Sequence, residues 1–522
     1  MPSDTTALAS TRTWCGLLVL LLSALLVSMD ISVLFVAGPR IAEDLRLTAT
    51  EWLWAMDIYS FVMAGLLITM GSLGDRIGRR RLLLVGAATF GVASAVLAYA
   101  PSPELLILGR AMLAVGGATL APSTLSLIRG MFAREDQRRT ALGAWTIAFS
   151  GGAVAGPIIG GALLEVFWWG AVFLINVPVL ALLLLVAPFL VEESRNPERT
   201  TFDVLGACTS LVAILASTFA LKNAAEHGVD LATLVATSVG ALGAAAFVIR
   251  QRRTPHPLVE LALFRIPRFA AAVGANTVVA MATAGLGVLA FTFLQVVHGL
   301  SPLQSAVWAL PTFAGTVVGA VTASTLAARI PAAPLLAAGL LAGAAGLAVV
   351  AATLEPSTGL WLFLLGYTVL TFGVGLTATI ANSLVLTTAP PGRAGAASGI
   401  SERSTELGAA LGIATLGTVA AAIYRGTVAA AAPAGTDPLA SETVAGAVEV
   451  ANGLGSRAAT TLLDTAFAAY TDGVSTAALV GALRWSGRPR SPPSPCGAGD
   501  GAGWRGRSKG ELTAAAPRQG VA

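Results

Sequence analysis

The feature that most constrains this chain is a train of apolar segments, each about twenty residues long, separated by short connectors that carry most of its charge. Wound at about 1.5 Å per residue, such a segment matches the roughly 30 Å hydrocarbon core of a bilayer. With no water to pair with, a spanning backbone must satisfy its own hydrogen bonds. Segments this long, without two-residue alternation, must do so as helices rather than barrel strands. The composition agrees: 55% of residues are hydrophobic, 11% are charged and the mean hydropathy is +0.77, a balance that does not fit a water-exposed surface. The expected fold is therefore all-α, a polytopic helical membrane bundle.

Read with a window of about twenty residues, spans fall near 14–37, 52–71, 82–100, 104–127, 140–163, 170–190, 204–221, 231–249, 269–297, 303–327, 332–352, 359–387 and 397–424, with a damaged candidate after 463. The first exceeds a signal-peptide core and no small-residue cleavage site follows it, so it reads as a retained span.

Basic residues divide unevenly between the connectors. Nineteen arginines lie in the set shared with the N-terminus, against Arg40, Arg46, Lys222, Arg425 and Arg457 in the other. By the positive-inside rule the N-terminus is cytoplasmic, and the chain is expected to be a multi-pass protein of the cell's inner (plasma) membrane. The net charge of +4 reports this topology, because no soluble basic domain is there to bind nucleic acid. Cys15, Cys208 and Cys496 are odd in number and scattered, which favours apolar filling over a disulfide or metal site. His227, His256 and His298 form no metal-ligand grouping, and no Gly-x-x-x-x-Gly-Lys-[Ser/Thr] loop exists to hold a nucleotide. Neither metal nor cofactor is expected. An integral-membrane enzyme ought to have a polar catalytic loop or soluble domain, and enzyme function is not expected either.

Two motifs exceed what a generic bundle requires. The connector after the second span reads Gly71-Ser-Leu-Gly74-Asp75-Arg76-Ile-Gly78-Arg79-Arg80-Arg81. Inside the fifth span lies Gly152-x-x-x-Gly156-Pro157-x-x-Gly160-Gly161, with Gly143 before it. Small-x-x-x-small packing alone would account for the glycines. Pro157, however, leaves a carbonyl without its helical donor and kinks the helix, which favours a gating seam over mere packing.

The first motif resembles the signature loop of the major facilitator superfamily, and the second, with Arg110 and Gly116-Gly117-Ala118 of the fourth span, resembles that of its proton-driven exporters. Leu53–Ser60, Ala144–Ala148, Phe173–Pro178 and Gly446–Ala451 are similar to the fourteen-helix drug:proton antiporters, in particular quaternary-ammonium and antiseptic exporters. The resemblance runs from about residue 14 to 483. It implies an N-terminal six-helix bundle in 1–200, two additional helices in 201–252, a C-terminal bundle in 253–483 and rocking of the halves around a central cavity. It also implies small organic cations and protons as partners, beside the lipid bilayer, with a monomer expected.

Depth assigns the site candidates. Asp30, Asp57 and Arg110 all fall roughly 9 to 12 Å below the outer surface at 1.5 Å per residue, so contact is open to them. Ionised side chains inside a membrane face a wet cavity or a partner. Two readings are open: a structural ion-pair knot, or carboxylates that exchange protons and meet cations while Arg110 tunes them. In the thirteenth span Glu402 and Glu406 share a face, and Arg403 and Glu406 are spaced to pair. Glu406, deeper in the helix, is the stronger candidate, and the related exporters carry acids at both matching positions. Trp145 is the aromatic that matches the family, expected to meet a cation through its ring. Gly71, Gly74, Asp75, Arg76, Gly78 and Arg79 are expected to form a gating latch, with Asp75 pairing with arginines or capping a neighbouring helix. Where relatives that accept divalent cations carry an acid in the tenth helix, this chain has Thr316 after Leu310-Pro-Thr-Phe-Ala-Gly315, which favours monovalent lipophilic cations. A neutral or anionic host-made natural product is the competing substrate class.

The family match stops abruptly at Arg484. Eleven residues, Gly473 to Leu483, reach about 16 Å, so the last span is expected to be cut short. The tail 484–522, rich in Gly, Pro, Ala and Arg, reads as disordered, and its onset reads as a frameshift.

Overall fold

The computed structural model describes residues 9–194, 203–254, 261–388, 394–431 and 437–485, all within a unit that ends at Gly487. No strand occurs among them. The chain opens with α1 (Thr11–Asp44), α2 (Ala49–Ile77), α3 (Arg79–Leu97), α4 (Pro103–Met131) and α5 (Glu135–Val166). Then come α6 (Ala171–Leu190), α7 (Val204–His227) and α8 (Leu231–Arg253). These are followed by α9 (Pro267–Val297) and α10 (Pro302–Leu326), α11 (Ala332–Thr353) and α12 (Leu360–Thr388). α13 runs from Ala394 through a π turn at Ile413–Gly417 to Ala431, and after two short helices α14 spans Ser456–Trp485. Among the described residues, twelve helices are long and apolar enough to cross a membrane. α2 and α14, of 29 and 30 residues, complete fourteen long helices.

Local chemistry sets many of the helix starts. Ser10, Thr48, Ser102, Asp203, Asp230 and Ser301 each accept a backbone N–H of the turn they open, the bond an N-cap supplies. Thr48 with Glu51, and Ser301 with Gln304, close full capping boxes. Pro103, Pro267 and Pro302 stand in first turns, where a missing N–H costs nothing.

Burial gathers the bundle around two main apolar clusters. One draws mostly on residues 17–191 and a few from α9, α10 and α13; the other draws on residues 279–478. α7 and α8 form a hairpin that packs against α2. At the arginine-rich end of the bundle, where α1 and α3 begin, Asp203 closes the hairpin's base: it caps α7 and meets Arg250 Nε at 2.5 Å. At the far end, Gly228 turns with φ +77° and Asp230 takes hydrogen bonds from Asn223 and the Thr233 N–H at 2.8 Å. The Thr233 N–H holds the Asp230 carboxyl below the usual carboxylate range.

Several expectations need correcting. Most of the connector after the second span is helix: α2 runs on to Ile77 and only Gly78 separates it from α3. Arg40 and Arg425 lie within α1 and α13, Arg403 lies within α13, and Lys222 lies within α7 rather than in a connector. A hydropathy window ends at a charge, but a helix whose charge finds a partner does not. α14 starts at Ser456, well before the eleven apolar residues, and ends at Trp485, two residues past the expected break. It holds Arg457, Asp464 and Asp472 and is not among the helices apolar enough to cross. The tail 486–522, with Cys496, lies outside the described residues, as does the side chain of Asp75.

Candidate functional site

Helix α2 carries the centre of the site. Over two turns it presents Trp54, the Ala55 carbonyl, Asp57, Tyr59 and Ser60 to its neighbours α4, α7 and α13.

From α4, Arg110 enters the protein 2% exposed. Its Nη1 donates to Asp30 Oδ2 of α1 at 2.6 Å, its Nε donates to the Ala55 carbonyl at 3.3 Å, and its guanidinium lies 4.6 Å from the Tyr59 ring centroid. Shared depth did bring Asp30 and Arg110 together.

Asp57 instead pairs with Lys222. Its Oδ2 lies 2.7 Å from the ammonium, and both side chains are essentially sealed, at 0% and 2% exposure. The same ammonium sits 4.5 Å from the Trp54 ring centroid. Sequence reasoning missed Lys222 because it lies one residue beyond the apolar window. The signal that would have found it was a lysine within a helical turn of a span's end, opposite a buried acid awaiting a cation.

From α13, Glu406 faces Ser60 of α2, with the Glu402 carboxylate nearby. Tyr59 lies near both Asp30 and Glu406. Among the described residues Glu406 has no ion pair. Arg403, spaced to meet it, turns onto α2 and donates to the Gly65 carbonyl at 3.1 Å. Beside it lies a cavity of about 300 Å³ lined by Ala64 of α2, Ser210, Ile214 and Phe247 of the hairpin, Thr277 of α9, and Arg403 and Ser404. Trp145 stands apart from the acids. Its indole donates to Thr124 Oγ1 at 3.1 Å and its ring stacks 5.2 Å from Phe149. Thr316 hydrogen-bonds within its own helix, to the Thr312 carbonyl.

Both sequence motifs mark close approaches. A Cβ on Gly152, Gly156 or Gly160 would strike α1, at Leu25, Ser32 and Met29, or Val33 respectively, and one on Gly161 would come within 2.8 Å of Leu303 in α10. Ser32 of α1 reaches the Gly152 carbonyl at 3.4 Å. Gly143 has open space around it, so the seam proper begins at Gly152. At the arginine-rich end Gly78 adopts φ +112°, the region that favours glycine. Glu193, following α6, accepts the N–H groups of Arg80 and Arg81 at 3.0 and 3.3 Å, and Arg80 Nη1 donates to the carbonyls of Pro188 and Val191. Arg79 reaches the Ser126 carbonyl at 3.4 Å. The acid that meets the start of α3 is thus Glu193, a residue the sequence reading did not name. Arg76 is exposed, Gly71 approaches Pro122 and Gly74 approaches Leu82.

A bundle of membrane-length helices with charged groups sealed around one helix fits a polytopic transporter. The pattern of the Major Facilitator Superfamily matches residues 20–413, and the chain belongs to that superfamily. It is 42% identical over 485 residues to the multidrug efflux pump LfrA of Mycolicibacterium smegmatis, covering 92% of this chain and 96% of the pump. It is 33% identical to the methyl viologen resistance protein SmvA of Salmonella typhimurium, covering 88% and 93%. The tetracenomycin C resistance and export protein of Streptomyces glaucescens is 34% identical, covering 78% and 76%. Among solved structures, a bacterial homologue of the human lysosomal transporter Spinster superposes with a TM-score of 0.63 at 20% identity, covering 91% of this chain and 96% of that one.

Proposed function

We propose that this chain is a proton-coupled antiporter that exports lipophilic, mainly monovalent organic cations by alternating access. Drug export by this superfamily transporter is supported by relatives named as a multidrug efflux pump and a methyl viologen resistance protein. Coupling and cation preference rest on one observation: three carboxylates, Asp30, Asp57 and Glu406, converge on one stretch of α2, and one of them, Glu406, has no ion pair among the described residues.

A carboxylate can hold a proton or face a cation, and taking the first removes the charge the second requires. That competition is the minimum an antiporter needs. In this reading Glu406 exchanges the proton, Arg110 pairs with Asp30 and aligns it, and Trp145 offers its ring from α5. The Gly152–Gly161 seam and the clip around Gly78 act as hinges. The N-terminus lies in the cytoplasm and a monomer is the working unit, with residues 1–200 and 253–483 as rocking halves and 201–252 as an insertion between them. Expelling a monovalent cation against an inside-negative potential costs about 2.3 kcal/mol per 100 mV. One proton in return cancels that cost and leaves about 1.36 kcal/mol per pH unit as the drive.

A second reading has its own support. The 300 Å³ cavity beside Arg403 is mostly apolar with one cation at its wall, a lining suited to a neutral or anionic amphiphile, and one relative is named for export of tetracenomycin C.

Purified protein in liposomes, given an imposed pH gradient, discriminates. The expected result is uptake of ethidium or tetraphenylphosphonium with counterflow of protons reported by an internal dye, lost in Glu406→Gln and Asp30→Asn. Transport of a neutral or anionic amphiphile without any organic cation would sink the cation reading.

A further inference from the structure

The pairing of Asp57 with Lys222 has the composition of a cation site already filled. A carboxylate and the face of an indole are the two groups that together recognise an ammonium or quaternary ammonium ion. Asp57 and Trp54, one helical turn apart on α2, supply both, and the ion between them is the chain's own lysine. We propose that Lys222 is a tethered occupant of an organic-cation site formed by Asp57 and Trp54, which a cationic substrate enters only when the lysine withdraws. The inference rests on the reading that the acids gathered around α2 receive cations.

Three observations separate this pair from an ordinary fastener. First, it is poorly supported. Neither Asp57 oxygen nor Lys222 Nζ has a hydrogen bond of good geometry, although a buried ion pair offsets its desolvation only with such support. Arg110 has the Ala55 carbonyl as a further acceptor and Asp203 has the Gly206 N–H as a further donor, although Asp30 Oδ1, like the Asp57 oxygens, lacks a hydrogen-bond partner among the described residues. Second, the ion is a lysine, a compact ammonium on a flexible stem, and its Cα lies five residues from the end of α7 at His227, about 7.5 Å along the helix. Withdrawal toward the far end is short. Third, occupant and site belong to different elements. Lys222 is on the α7–α8 hairpin while Asp57 and Trp54 are on α2, so relative movement of the two opens the site without breaking either helix. The exchange is ionic: one cation leaves Asp57 as another arrives, and net charge at the carboxylate is unchanged.

The test uses the full chain in lipid nanodiscs with benzyltrimethylammonium as probe. Lys222→Ala is expected to lower the probe's Kd about tenfold, which corresponds to roughly 1.4 kcal/mol, and adding Asp57→Asn is expected to erase the gain. A second route avoids dependence on one variant. Lys222→Cys, in a chain whose Cys15, Cys208 and Cys496 are serine, should gain affinity likewise. Aminoethyl methanethiosulfonate, which restores a positive charge at 222, should reverse the gain, and the neutral methyl reagent should not. If both variants stay monodisperse and bind the probe no more tightly than the parent, Lys222 is a structural fastener and the inference falls. Export of the probe by the parent in proteoliposomes, with no gain in the variants, overturns the inference and leaves the antiporter reading standing. An Asp57-dependent gain without export does the reverse.

Discussion

Arg110 answers to Asp30, the Ala55 carbonyl and Tyr59 at once, and nothing else described neutralises Asp30. Removing one partner of a buried ion pair costs about 3–5 kcal/mol because the other charge stays behind. Arg110→Met is therefore expected to lower the unfolding temperature in detergent sharply and to abolish transport. Asp30→Asn with Arg110→Met should recover most of the thermal stability and none of the transport, which separates scaffold from chemistry. Gly78 offers a second test. Any Cβ there meets the Glu193 carboxylate within 2.7 Å at a positive φ, so Gly78→Ala should cost roughly 1–3 kcal/mol, read as a lower melting temperature, with Glu193→Ala in the same chain relieving only the clash. At this scale the sequence disclosed one half of the site. Equal depth exposed Asp30 and Arg110, because a buried charge is rare enough to be conspicuous. Lys222 and Glu193 were hidden for the opposite reason: each sits where charges are ordinary, and only the folded chain shows what they touch.

Helices were legible from apolar length, and their ends were not. α2 carries its helix through Gly71 and Gly74 to Ile77 because backbone hydrogen bonds continue past the point where hydropathy falls. α14 is long for the same reason. The glycine motif of α5 was legible as close packing, but not its partners, since a spacing names no neighbour. Gly152, Gly156 and Gly160 fit α1, whereas Gly161 faces α10. The seam is thus shared between the first bundle and a helix from the later half. Gly156→Val would drive its side chain into Ser32 and within 2.8 Å of the Met29 carbonyl. Overpacking of this kind costs about 1–3 kcal/mol. The expected outcome is a protein that reaches the membrane in normal amount yet exports ethidium at least about tenfold more slowly, if the seam must slide; an unchanged rate would reduce it to packing.

Across the whole molecule the early and late helices meet at the far end. Gln295 donates to the Val36 carbonyl at 2.9 Å, Gly161 lies against Leu303, and Arg46 pairs with Glu449 at 2.8 Å. The last pair is largely exposed on the arginine side, and its contribution to stability is at most about 1 kcal/mol. Its value is as a reporter. Arg46→Cys with Glu449→Cys, in a chain otherwise free of cysteine, joined by a short reducible cross-linker, is expected to stop efflux and to release it on reduction. Continued efflux through the cross-linked state would mean that these surfaces do not part during transport.

The α7–α8 hairpin looks like an insertion that could be cut out by splicing α6 to α9. The lysine it carries against α2 makes that costly without a second change. Excision would leave Asp57 without its partner, at a cost of about 3–5 kcal/mol, so a twelve-helix version of this chain should melt at a lower temperature than one in which Asp57 is also neutralised, as in Asp57→Asn. The hairpin and the charge at residue 57 are then energetically coupled rather than independent.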